Sequence, residues 1–150
     1  MRKFFFLAAA LVACSKAETP ATDTTAMAPA PAMAPLTAAE LTGKWSGMTM
    51  AETSDSVTAR WTTESADGVA ANLTIDGSKD VIPSTLTYDA DSVVGTSNVP
   101  YASDPKAPKV FFRSVGRLKD GKLVGTVTNT LASKPDSVVS RGRWEATKAP

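Results

Sequence analysis

Residues 37–45 read TAAELTGKW, and the rest of the chain is understood from this stretch. Thr37-Ala38-Ala39-Glu40 fits a capping box, in which a threonine and a glutamate three residues later cap the first turn of a helix. The helix is short, because the pattern changes at Leu41-Thr42-Gly43-Lys44-Trp45. From there to Lys148 no helical period is evident, and apolar residues instead recur at every second position.

That two-residue period is the mark of a half-buried strand. Val57, Ala59 and Trp61 alternate with Thr58, Arg60 and Thr62. Val69, Ala71, Leu73 and Ile75 alternate with Ala70, Asn72 and Thr74. Val110, Phe112, Ser114, Gly116 and Leu118 form a third such face, with Arg113 and Arg117 on the other. The pattern predicts eight strands, at about 44–50, 57–64, 69–75, 81–88, 92–98, 109–118, 122–131 and 137–147. Lys119-Asp120-Gly121-Lys122 is a hairpin turn with glycine where φ must be positive, and Asp89-Ala90-Asp91 is a less ideal counterpart. Asp-Ser-Val recurs at 55–57, 91–93 and 136–138, where Asp and Ser close a turn and Val opens a strand. Val-Gly-Thr recurs at 94–96 and 124–126, and its mid-strand glycine marks a bend or a tight backbone approach.

Short antiparallel hairpins in series favour an all-β, up-and-down meander. Eight strands can close into an antiparallel β-barrel whose interior admits side chains or one small ligand. Closure also removes the exposed edges that invite aggregation. A β-sandwich is the alternative arrangement.

A short helical turn followed by Gly43-Lys44-Trp45 on the first strand resembles the Gly-x-Trp signature of the calycins, which are the lipocalins, fatty-acid-binding proteins and avidins. The resemblance implies a calycin-like barrel in which a basic residue of the last strand lies across the tryptophan. In a closed barrel the end of the last strand lies near Trp45. Lys148 shares the inward parity of Trp144 and Ala146, unlike Arg141 and Arg143, and so is the candidate partner of Trp45. The later tryptophan pattern of the avidin biotin site is not evident, so biotin binding is not carried over. Residues 38–45 are also similar to the opening of the small periplasmic metalloprotease-inhibitor barrels. That resemblance implies a protease-blocking domain, although its members usually carry an internal disulfide.

Trp61, Phe112 and Trp144 share the apolar faces of their strands, with Ser114 and Asn129 as polar neighbours. These five are the candidate lining of a ligand pocket. Aromatic residues make up only 7% of the chain, and in a small domain they are favoured as core. Val99–Pro108 is the longest irregular loop, and loops carry function disproportionately.

Working back from Thr37, residues 15–36 are dominated by Ala, Thr and Pro and build no core. Ala28-Pro29-Ala30-Pro31 favours extended polyproline-like chain. At about 3.1 Å per residue the segment reaches roughly 60–70 Å, enough to hold a domain off a membrane. Before it, Met1-Arg2-Lys3 and the apolar run Phe4–Ala13 describe a secretory signal peptide, too short to span a bilayer. The run ends in Leu11-Val12-Ala13-Cys14, which resembles the lipobox of bacterial lipoproteins. This implies cleavage before Cys14, a diacylglycerol on its sulfur and acylation of the new amino terminus. Two or more acyl chains anchor stably where one does not. Ser15, rather than Asp, implies the outer membrane of the bacterial cell envelope, facing the periplasm. The expected organisation is therefore a signal peptide at 1–13, a lipidated linker at 14–36 and a barrel at 37–150.

Cleavage leaves 14 basic and 15 acidic side chains, a formal charge of −1 and no basic field for nucleic acid. With one cysteine and no histidine, an intramolecular disulfide, Ser-His-Asp and Cys-His catalysis and the common zinc sets are excluded. No calcium loop of known spacing is present, so no metal or cofactor is expected. The sequence points to a lipid-anchored, non-enzymatic envelope protein whose barrel binds a small apolar ligand or another envelope component. A protease inhibitor or a structural envelope lipoprotein is the alternative.

Overall fold

The computed structural model describes residues 35–102, 104 and 106–150. The signal peptide, Cys14 and all of the linker but Pro35 and Leu36 lie outside them. A four-residue helix, α1 (Ala38–Leu41), precedes eight strands: β1 (Gly43–Ala51), β2 (Val57–Ser65), β3 (Ala70–Ile75), β4 (Val81–Asp89), β5 (Ser92–Ser97), β6 (Val110–Lys119), β7 (Lys122–Leu131) and β8 (Lys134–Lys148). Each strand pairs antiparallel with the next, and β8 returns to pair with β1, so the sheet is a closed barrel. Closure rules out the sandwich.

One side of each strand is inward. Trp45, Trp61, Leu73, Leu86, Phe112, Val127 and Trp144 point into the barrel, and Lys44, Arg60, Glu64, Arg113, Arg117 and Arg143 stay exposed. Strand boundaries follow the alternation closely, with two departures. Val69 is 48% exposed and belongs to the turn before β3, where the Asp67 carboxylate accepts from the N–H groups of Val69 (2.8 Å) and Ala70 (2.9 Å). The last strand begins at Lys134, three residues before its expected start. Pro135 has no N–H for the ladder, and it falls where the β7–β8 register shifts after Asn129 and again after Thr130. A bulge is where a strand tolerates proline.

The two ends of the barrel differ. At one end lie α1, the turns at 66–69, 90–91 and 120–121, and the end of β8. Leu36, Leu41, Trp45, Val93, Leu123, Trp144 and Ala146 form the buried core cluster there, with Leu118 and Tyr88 packed against it. Leu36 falls at the end of the expected linker, yet it is buried and its N–H donates to Ala90 O at 3.2 Å. The Asp120-Gly121 hairpin has positive φ at both residues, 52° and 77°, as its sequence predicts. The other end is bordered by loops 52–56 and 76–80, the described residues of 98–109, and 132–133, and is the mouth.

Candidate ligand-binding site

Beneath the mouth the barrel encloses a cavity of about 310 Å³. Binding pockets for small molecules run from about 300 to 1,000 Å³, so this space suits one compact ligand. All five residues singled out in the sequence as candidate lining are on its wall: Trp61, Phe112, Ser114, Asn129 and Trp144. Trp45 lines it as well, at the closed end.

The cavity exists because the two large indoles lie flat against the wall rather than across the interior. Gly116 of β6 and Gly125 of β7 are paired in register. A Cβ on Gly116 would strike the Trp144 ring, and one on Gly125 would meet Trp144 Cε2 at 2.8 Å and the Val115 carbonyl. Gly47 on β1 makes the same room for Trp61. The two rings meet edge to face, centroids 6.0 Å apart at 66°. Their N–H groups are held by the wall, Trp61 Nε1 donating to Thr49 Oγ1 (3.1 Å) and Trp144 Nε1 to Thr126 O (3.0 Å). The favoured sequence reading of these aromatics as core is therefore incomplete. Trp144 is 7% exposed and is core, while Trp61 and Phe112 are half-buried and bound an open space.

Toward the mouth the wall becomes polar. Tyr101 comes from the long β5–β6 loop and is held by a two-way backbone bridge to Val110 at 2.9 and 2.8 Å. Its ring packs edge to face on Phe112, centroids 6.0 Å apart. Its hydroxyl donates to Asn129 Oδ1 (3.2 Å), and Asn129 Nδ2 donates to Ser140 Oγ (2.9 Å). Burial pushes the Tyr101 phenol above its ordinary value of 10.0, so the ring stays neutral. Tyr101 is a wall residue that no strand period reveals, although it lies in the longest irregular segment of the sequence. Leu73, Ile75, Ser84 and Leu86 were also missed, because nothing distinguishes a lining residue from a packed one within the same apolar face. Among the described residues, five of the six exposed large aliphatics, Val57, Val81, Val99, Val138 and Val139, sit around the mouth.

Lys148 lies away from the cavity lining. It pairs in register with Trp45, its Nζ 5.8 Å from the indole centroid, and donates to Glu40 O at 3.4 Å. Trp45 Nε1 donates to Leu41 O (3.2 Å), so both residues hold the last carbonyls of α1. Between them Gly43 has φ +107°, a backbone that side chains rarely adopt, and this explains the glycine two residues before the tryptophan. The capping glutamate anchors the other end of the turn, accepting from Thr37 N (2.8 Å) and Thr37 Oγ1 (3.0 Å).

Comparison with protein families, with curated proteins and with solved structures returned no match for this chain. The calycin resemblance therefore rests on Gly43-Lys44-Trp45 and its place at the head of β1.

Proposed function

We propose that this protein is a lipid-anchored lipoprotein of the bacterial cell envelope whose barrel takes up one small apolar ligand. The observation that carries the ligand reading is the interior cavity of about 310 Å³, walled mainly by apolar side chains. A barrel serving only as scaffold or as inhibitor has no need of such a void, since native interiors pack to crystal-like density. The exposed valines around the mouth support the same reading, because they give an entering apolar ligand apolar contacts among the polar groups there. Binding rather than catalysis is favoured by the lining itself, which holds no acid–base pair among the described residues. The lipid anchor rests on Leu11-Val12-Ala13-Cys14.

Titration with N-phenyl-1-naphthylamine, a neutral apolar fluorophore, tests the ligand reading. Saturable one-to-one binding with quenching of the Trp61 and Trp144 emission is expected, and a titration indistinguishable from buffer overturns it. The anchor is tested separately by Cys14→Ser. That change should leave an unprocessed chain retaining Met1–Ala13, seen by intact mass, whereas a mature chain without acyl mass on Cys14 ends the lipoprotein reading.

A further inference from the structure

Charge in this barrel is sorted by strand parity. Lys44, Arg60, Glu64, Arg113, Arg117, Arg141, Arg143 and Glu145 all take the outward parity of their strands; of the charged residues of even parity on β8, Lys148 is held over Trp45 at the closed end, and Lys134 and Asp136 are exposed where the register shifts at the mouth. Among the described residues, none that lines the cavity carries a charge. The polar groups there are hydroxyls, one amide and one phenol.

Most of their protons are already committed. Ser65 Oγ donates to Ala70 O (2.6 Å), Ser84 Oγ to Ile82 O (3.1 Å) and Ser114 Oγ to Gly95 O (3.3 Å). Tyr101 donates to Asn129, and all three indole N–H groups are bonded, Trp45 to Leu41 O, Trp61 to Thr49 Oγ1 and Trp144 to Thr126 O. What Ser84 and Ser114 offer an occupant is lone pairs. A ligand hydroxyl can donate to these, whereas an ionised carboxylate meets only neutral donors, the Thr49 and Thr63 hydroxyls and the second Asn129 N–H, with no cation and a low-dielectric wall. An unpaired charge in such a place is so costly that the group neutralises or stays out.

We infer that the cavity selects an uncharged ligand with an apolar body and a hydroxyl, and discriminates against the carboxylate of the same shape. This rests on the reading of the interior as a ligand cavity. The selected ligand lies wholly within the cavity, away from Lys79 and Lys109 beside the mouth.

Calorimetric titration of the full chain with 1-naphthylmethanol and with 1-naphthoate, matched in shape, tests this. At about pH 7.5 the alcohol should bind and the carboxylate should bind at least about tenfold more weakly. The deficit should shrink as the pH falls to about 4, where the carboxylate protonates. Thr63→Arg, which places a cation on the cavity wall, should narrow or reverse the preference, and Ser114→Lys serves if that chain does not fold. Equal affinity of wild type for the two compounds at pH 7.5 overturns the inference and leaves the cavity reading standing. Binding of neither compound, together with a flat N-phenyl-1-naphthylamine titration, overturns both.

Discussion

The closed end and the mouth of this barrel are made from the same strands yet are built in opposite ways. At the closed end α1 lies over the opening, Trp45 and Leu41 are about 95% buried, and Trp45 Nε1 and Lys148 Nζ are tied to the last carbonyls of α1. At the mouth the valines are left exposed, and Tyr101 reaches inward from a loop, held by one backbone bridge and one side-chain hydrogen bond. Stability is concentrated where packing is dense, and access is left where it is sparse. Regions with few buried contacts open at low free-energy cost, so the mouth is the end able to admit a ligand without unfolding the barrel.

The contrast breaks most readily at Trp45. Trp45→Ala removes a buried tryptophan and should cost about 3–5 kcal/mol, a large part of the 5–15 kcal/mol typical of a domain. Lys148→Ala, at an exposed site, should cost less, about 0.5–1 kcal/mol, and the double variant should be non-additive because the two are in contact. Thermal melts of the four chains check this. If Trp45→Ala melts like wild type, the closed end is not the stabilising one.

Gly125→Val probes the middle of the barrel. A side chain there meets the Val115 carbonyl and the Trp144 ring, so overpacking should cost about 1–3 kcal/mol and push the indole into the cavity. A melt and an N-phenyl-1-naphthylamine titration read the two effects, and loss of stability with unchanged binding would show that the ring does not border the ligand space.

At the mouth Tyr101→Phe deletes one neutral hydrogen bond to Asn129, a change of about 1 kcal/mol or less. It should alter ligand affinity more than the melting temperature, and the reverse would make Tyr101 a structural residue. Arg143→Ala breaks the exposed ion pair with Asp55 (2.8 Å) and should cost only about 0.2–1 kcal/mol.

The smallest effect is confined to acid. Hydrogen bonds from the Val69 and Ala70 N–H groups hold the exposed Asp67 carboxyl below its ordinary value of 3.8. A lowered folded value means that Asp67 contributes stability above about pH 3.8, and that this is lost as the pH falls through the lower folded value. Asp67→Asn should therefore narrow its gap from wild type in melts taken at successively lower pH below that point, and a gap that widens in acid contradicts the assignment.

Much of this fold is legible in the sequence because each strand carries its own apolar face. Val57-Ala59-Trp61 and Phe112-Ser114-Gly116 announce their inward sides without reference to any other strand. Gly43-Lys44-Trp45 places the closed end, and parity alone sets Lys148 beside Trp45 once closure is assumed. What could not be read depends on register. Gly116 faces Gly125 only because β6 and β7 pair as they do, and that pairing is what lays Trp144 flat and leaves a void. Tyr101 reaches the cavity through a loop whose path no periodicity encodes. Val69 looked like an inward strand residue, but the Asp67 turn claims its backbone first.

The barrel interior is an open apolar space rather than a packed core. A crystal of residues 35–150 pressurised with xenon tests it most directly, because dry apolar cavities take up that gas. Xenon density is expected inside the barrel among Trp61, Leu73 and Phe112. An interior filled by repacked indoles, with no xenon bound, would contradict it.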